Sequence, residues 1–383
     1  MKHRYFDSGA FTPLHKKSYR AVRDVLRKQV QGSLGNPLSA HHHGRAADDY
    51  VERSRTMIAR TYQMQAGDII FTSGATEANL LAVRTALLQG LRDGKPLTDM
   101  HVLIGFDEHS SVFKVLEYVR TLGVRGTIAT PSRGRLFTPE DIVKEVRENT
   151  VCLSLQLVNS LHGLVQPIAR IADACREKQP AIFVHTDSAQ GTAYHNCSPH
   201  TLRVDAATID GTKTFGPQGV GALLFQEAKR YTGLQGEHSV FDMRPGTPPV
   251  ALIYGFSTAV QETHRHQSDL IQHISSLRQS LAEQIDASFS DVYVLGLEKY
   301  LKDVRPADWK KLAPHLLYVT FPNTNHAYLA TLLDTHGFST STSSACSVQG
   351  VEAIRMGLLP STTKKEVRKL VQAMKTCLPL ATT

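Results

Sequence analysis

The sequence predicts an α/β domain with a mainly parallel sheet, followed by a smaller α+β domain. Three observations carry that prediction. The chain has 383 residues, a length that suits two domains of ordinary size. From Ile69 onward, short apolar runs alternate with longer segments of helical periodicity, the rhythm of parallel strands joined by crossover helices. After about residue 256 the rhythm changes to paired helical segments, one strand signal and a closing amphipathic helix.

In chain order, strands are expected at 68–71, 102–104, 151–157, 181–184 and 220–225. In the third, Val151, Leu153, Leu155 and Leu157 alternate onto one face. Between the first two lies a helix whose Leu80, Val83, Leu87 and Leu91 recur at helical spacing, just after Thr72-Ser73-Gly74-Ala75-Thr76. Later segments 252–264 and 268–285 read as helices, 316–321 as a strand, 327–336 as a helix and 363–377 as an amphipathic helix. No internal repeat or low-complexity linker interrupts them.

Composition narrows the function. At 41% hydrophobic and 20% charged residues the chain is globular in composition. No stretch approaches the roughly 18 to 20 apolar residues of a membrane span, and Met1-Lys2-His3-Arg4-Tyr5-Phe6-Asp7 leads into no signal-peptide core, so a cytoplasmic protein is expected. The five cysteines are odd in number and form no CxxC pair, which argues against a disulfide framework or zinc ribbon. The net charge of +8 is spread along the chain, dense only at Lys364-Lys365-Glu366-Val367-Arg368-Lys369, a solvated face or acidic-partner surface more than a nucleic-acid site. Adjacent histidines at His41-His42-His43 cannot all face one ion, and no metal is expected.

Three short motifs suggest chemistry. Lys213 lies in a turn leading into the Gly-rich run Phe215-Gly216-Pro217-Gln218-Gly219-Val220-Gly221. Such glycines admit close backbone approach to a ligand, and a desolvated lysine beside a cofactor can form a Schiff base. His185-Thr186-Asp187-Ser188-Ala189-Gln190 ends an apolar run, so Asp187 sits where open α/β sheets bind ligands. Ser73-Gly74-Ala75-Thr76 opens a helix and offers free N–H groups to a phosphate. Phosphate donors, lysine and carboxylate together describe a pyridoxal phosphate pocket.

With these motifs on the page, the chain resembles the cysteine desulfurases of the class V, fold-type I pyridoxal phosphate enzymes over nearly its whole length. The resemblance rests on Phe6-Asp7-Ser8-Gly9-Ala10-Phe11-Thr12-Pro13, Gly35-Asn36-Pro37-Leu38-Ser39-Ala40-His41-His42-His43-Gly44, and Phe71-Thr72-Ser73-Gly74-Ala75-Thr76-Glu77-Ala78-Asn79. It continues through Glu108-His109-Ser110-Ser111-Val112, Val158-Asn159-Ser160-Leu161-His162-Gly163, Arg244-Pro245-Gly246-Thr247, Ser343-Ser344-Ala345-Cys346 and Ala353-Ile354-Arg355. It implies a large domain over 14–255 with a mainly parallel seven-stranded sheet, and a small domain from 1–13 and 256–383 carrying the cysteine loop and a substrate arginine.

The resemblance also implies roles. Lys213 would hold pyridoxal 5′-phosphate as a Schiff base and shuttle the Cα proton. Asp187 would pair with the pyridinium nitrogen, His109 would stack on the ring, and Gln190 would face the phenolic oxygen. Ala75, Thr76 and Thr212 would take the phosphate with Thr247 from the neighbouring subunit, which implies a homodimer. Asn159 and Ser160 would contact the cofactor, and Arg355 and Asn36 the substrate L-cysteine. Cys346, in a small polar setting, would attack the substrate sulfur and carry a persulfide to an acceptor protein or small thiol, leaving L-alanine; the other cysteines would be structural.

The chain departs from the family pattern at three places. Asp210 and Thr212 replace the usual Ser and His before the lysine, and an anionic Asp210 beside a phosphate is repulsive unless turned away or paired. Ser160 stands where the second of two asparagines is usual. Arg355 follows Cys346 by only nine positions, a short tether that would make the acceptor come to the cysteine. A selenocysteine lyase, another class V lyase or aminotransferase, or a non-catalytic dimeric scaffold in a sulfur-transfer complex are the competing readings.

Overall fold

The computed structural model describes residues 3–132, 134–231, 243–295, 312–342 and 352–382. Strand β1 (Arg4–Tyr5) precedes helices α1 (Lys16–Val30) and α2 (His42–Tyr62). The central sheet is then built from β2 (Ile69–Thr72), β3 (His101–Gly105), β4 (Arg125–Ala129), β5 (Thr150–Gln156), β6 (Phe183–Asp187), β7 (Ala206–Asp210) and β8 (Gly221–Phe225). Its order is β2-β8-β7-β6-β5-β3-β4, with β8 antiparallel to both neighbours and the other pairs parallel. Helices α3 (Ala75–Arg92), α4 (Ser110–Thr121), α5 (Pro139–Val143), α6 (Ile168–Lys178) and α7 (Pro199–Leu202) lie between the strands in sequence. This is the expected fold: a mainly parallel seven-stranded sheet covered by helices.

Alternating side chains feed two apolar layers. Val102 and Ile104 of β3 and Leu223 and Phe225 of β8 meet Leu81, Val83 and Leu87 of α3 and Val112 and Leu116 of α4. On the other side, Leu103, Leu153 and Leu224 meet Val51 and Ile58 of α2 and Ile171 of α6. Both faces are thus removed from water, which is why the strands read as nearly continuous apolar runs. Two details differ from the sequence expectation. Leu80 and Leu91 are exposed, and small residues such as Ala78, Ala82 and Ala86 complete the buried stripe of α3. Val151 faces the opposite layer from Leu153 and Leu155, because the β3–β5 register shifts there: His101 pairs with Thr150 but Val102 with Cys152, leaving Val151 as an extra residue.

Helices α8 (Val250–Arg265) and α9 (Gln267–Ser288) lead to a second, four-stranded sheet of order β12-β13-β10-β9. It comprises β9 (Tyr293–Leu295), β10 (Leu316–Thr320), β12 (Ser341–Thr342) and β13 (Ile354–Gly357), all antiparallel to their neighbours. Between them come α10 (His326–Thr335) and β11 (Phe338–Ser339), which pairs in parallel with β1; α11 (Lys364–Ala381) closes the chain. Ile274, Leu281, Val319, Leu333, Met356, Leu370 and Met374 form one apolar cluster, joined by Phe6 from the N-terminal segment.

Candidate active site

At the carboxyl ends of β6 and β7, a cavity of about 480 Å³ is bordered by the start of α3, the 9–10 segment and β13. Its lining includes Ala75, Thr76, His109, Ser160, Asp187, Gln190, Thr212, Lys213 and Arg355, which stand far apart in sequence. The arrangement follows from a parallel sheet, whose strands deliver their next residues to one edge.

Asp187 is the last residue of β6 and is 6% exposed. Its Oδ1 accepts the Ala189 N–H at 3.0 Å and its Oδ2 the Asn79 amide at 2.8 Å. The same Asn79 amide nitrogen donates to Ser111 Oγ at 3.0 Å, and Ser111 Oγ lies 2.8 Å from His109 Nδ1. His109 caps α4, with Nδ1 accepting the Ser111 N–H at 3.2 Å, an arrangement that favours the proton on Nε2. One hydrogen-bonded chain therefore orients the carboxylate and the imidazole together. Asn79 and Ser111 were missed as functional residues; both lie inside motifs quoted above, but nothing local marks them as partners.

Lys213 Nζ donates to the Gly9 carbonyl at 2.8 Å and to that of Ala10. Burial lowers its pKa, against the opposing pull of Asp210; Arg355 lowers it further while Asp7 and Asp187 raise it. Gln190 donates to the Gly9 carbonyl at 2.6 Å, and its Oε1 lies 3.2 Å from Nε2 of His315. His315 is buried and stacked on Tyr194, with ring centroids 4.3 Å apart.

Arg355, on β13, is 8% exposed. Its Nη1 donates to the Ser160 carbonyl at 2.9 Å, and its Nη2 to Asp7 Oδ1 at 2.9 Å and Ser341 Oγ at 3.1 Å. Nε is buried without a partner among the described residues. Asp7 is thus a resident counter-charge; it lies inside a motif quoted above, but nothing local announced its pairing, which spans nearly the whole chain.

The start of α3 is differently furnished than expected. Ala75 N–H donates to Asp210 Oδ2 at 2.8 Å, while Asp210 Oδ1 accepts the Thr212 N–H at 2.7 Å and the Thr212 hydroxyl. Asp210 is therefore paired, as required of a carboxylate there, but it faces the phosphate donors. Glu77 accepts the Ser73 N–H at 2.5 Å and pairs with Arg244 at 2.8 Å.

Other expected residues lie elsewhere. Asn159 is fully buried and does not line the cavity: its amide donates to the Asp107 carbonyl and its Oδ1 accepts the N–H groups of Leu161 and His162, so it shapes the 159–164 turn. Asn36 is exposed, holds a turn through the Leu38 N–H and is absent from the lining. Thr247, expected at the neighbouring subunit's phosphate and not at this chain's own, is exposed and outside this cavity. Cys346 lies outside the described residues. Cys152, Cys175, Cys197 and Cys377 are buried, and burial raises the pKa of each, to about 12 for Cys175 and Cys197. Among the described residues no cluster suits a metal ion.

Away from the corner that Asp210 occupies, the donor set fits pyridoxal phosphate. A carboxylate, an amine with lowered pKa and a guanidinium converge on one cavity, and the first-turn N–H groups of α3 have no carbonyl behind them in the helix. The Ala75 N–H is the exception, since Asp210 takes it.

Comparison with known proteins gives a consistent result. A family model described as aminotransferase class-V matches residues 4–370. Cysteine desulfurase IscS of Dictyoglomus turgidum is 29% identical over 349 residues, covering 91% of this chain and 83% of that protein. Cysteine desulfurase IscS of Pseudoalteromonas translucida is 30% identical over 298 residues, covering 77% and 71%. A solved NifS-like protein superposes with a TM-score of 0.84 at 25% identity, covering 98% of both chains.

Proposed function

The chain belongs to the aminotransferase class-V family, and from that premise we propose that it is a cysteine desulfurase, converting L-cysteine to L-alanine with the sulfur left on Cys346 as a persulfide. The family is pyridoxal phosphate-dependent, and the bound cofactor supplies the electron sink for bond breaking at the substrate. The observation that carries the reading is the meeting of Lys213, Asp187 and Arg355 in one cavity.

Each side chain has a definable task. Asp187, locked by Asn79 and Ala189, offers a fixed carboxylate to the ring nitrogen. Lys213 is held by the Gly9 and Ala10 carbonyls and has its pKa lowered by burial, so its free amine can accept the Cα proton of the substrate. The Arg355 fork takes the substrate carboxylate, with Asp7 holding the guanidinium in place between substrates. His109, Gln190 and Ser160 border the ring, and Thr76 offers its N–H to the phosphate. The Cys346 thiolate attacks the substrate sulfur: an S–S bond forms, the Cβ–S bond breaks with its electron pair passing to carbon, and protonation there gives alanine. An acceptor protein or small thiol then removes the terminal sulfur.

The same reading makes the protein a cytoplasmic homodimer with Thr247 reaching the neighbour's phosphate, a large domain over 14–255 and a small domain from the remaining segments. Mass spectrometry tests the central claim. After incubation with L-cysteine, one extra sulfur should appear on the Cys346 peptide; alanine release by Cys346→Ala at the unmodified rate would refute it.

A further inference from the structure

The positive end of α3 is capped from across the cavity by a carboxylate. Ala75, Thr76 and Glu77 have no carbonyl one turn behind them, and Ala78 is the first residue of the helix that does, bonding Gly74 O at 3.2 Å. Such a terminus attracts anions. Asp210, the last residue of β7 and 8% exposed, supplies one: its Oδ2 is 2.8 Å from Ala75 N. The carboxylate is held from the other side by the Thr212 N–H, 2.7 Å from Oδ1, and by the Thr212 hydroxyl. Gly74 allows the approach. A Cβ there would stand 3.3 Å from Asp210 Oδ2, and its φ of 150° is one that other residues rarely adopt. The donors that the cofactor phosphate would use at this corner, Ala75 and Thr212, are thus the ones Asp210 holds.

Charge deepens the conflict. Glu77, on the first turn of α3, adds a second carboxylate and is paired with Arg244. Among the described residues, the cations lining the cavity are Lys213 and Arg355, the latter already paired with Asp7. A dianionic phosphate entering this corner meets an anion already there.

We propose that Asp210 is an intramolecular competitor of the cofactor phosphate. The phosphate must displace its carboxylate from Ala75 and Thr212, so it adds little to cofactor affinity here. Retention then depends on the Lys213 and Asp187 end, and the non-phosphorylated aldehyde pyridoxal binds nearly as well as pyridoxal phosphate. This rests on the cofactor reading above.

Equilibrium dialysis of the full chain, freed of cofactor, compares both aldehydes in the unmodified protein, Asp210→Asn and Asp210→Ser. Asn retains an acceptor for the Ala75 N–H and removes only the charge. The unmodified protein should bind the two aldehydes within about tenfold of each other, and both variants should bind pyridoxal phosphate about tenfold tighter with pyridoxal unchanged. A preference for the phosphorylated aldehyde of about a hundredfold in the unmodified protein, or an unchanged ratio in Asp210→Asn, would overturn the inference. Thermal unfolding with inorganic phosphate separates the two readings. If no aldehyde binds any variant yet phosphate raises the melting temperature of Asp210→Asn more than that of the unmodified protein, the cofactor reading fails and the competitor role stands. Equal phosphate effects in both proteins would remove the competitor role.

Discussion

Lys213 and Glu108 show how burial acts in opposite directions on a base and an acid. For Lys213, loss of water favours the neutral amine, opposed by Asp210, Asp7 and Asp187. For Glu108, burial pushes the carboxyl well above the ordinary range against the pull of the Gln156 N–H, 2.8 Å from Oε1, with Asp187 and Asp107 adding to the rise. Glu108 Oε2 is buried without a partner among the described residues, which suits a protonated group. The raised pKa means that the folded state keeps a proton the unfolded chain has already lost. Stability from this group is present below the ordinary carboxylate range and falls as pH rises towards the folded pKa, by at most about 1.4 kcal/mol per pH unit. Glu108→Gln lacks this loss. Its unfolding free energy relative to the unmodified protein should therefore climb as pH rises above the ordinary carboxylate range, and a flat difference would disprove the assignment. At this scale Lys213 and Asp187 were legible because each sits beside a local pattern, a Gly-rich turn and an apolar run. Asp7, Asn79 and Ser111 were not legible as partners, because pairing across the fold leaves no mark on neighbouring residues.

Elements were readable where burial is apolar and continuous. The β8 run 221–225 and the amphipathic α11 stand out, the latter with Thr363 and Glu366 forming a reciprocal cap. By contrast β4 is an edge strand with only Ala129 buried, and β7 buries two alanines, a threonine and an aspartate beside one isoleucine, so neither carries an apolar run. Their neighbours in the sheet supply the signal that their own residues lack. Helix α2 begins among histidines, with His41 as its cap through the Gly44 N–H, which is the physical use found for part of that triple. Packing between elements also sets a test. A Cβ on Gly357 of β13 would come within 2.5 Å of Ser8 N and 2.7 Å of Gly9 N. Gly357→Ala should therefore cost about 1 to 3 kcal/mol in denaturant unfolding. It should also displace the Gly9 and Ala10 carbonyls that hold Lys213; unchanged stability would show that the 8–10 segment yields without cost.

Across the whole molecule, the N-terminal segment ties the apolar cluster around the four-stranded sheet to the cavity at the central sheet. Phe6 packs in that cluster, Asp7 pairs with Arg355 of β13, and Gly9 accepts from Lys213 and Gln190 beside the central sheet. The site is thus assembled from residues contributed by both ends of the chain. The proposed dimer extends this assembly: sedimentation at micromolar protein should give twice the chain mass of 42.3 kDa. Thr247→Val should then weaken pyridoxal phosphate retention about fivefold, the loss of one hydrogen bond, whereas a monomer would sink the assignment. The amino-acid sequence by itself determined the α/β class, the strand–helix order and the lysine, carboxylate and helix-start motifs, because periodicity and turn chemistry are local. Only the tertiary structure decided that Asp210 caps α3, that Asp7 pairs with Arg355, that Asn79 bridges Asp187 to Ser111, and that Asn159 shapes a turn instead of lining the cavity. Hydrogen bonds and ion pairs depend on distances of a few ångströms between residues that can be hundreds of positions apart, and those distances exist only once the chain is packed.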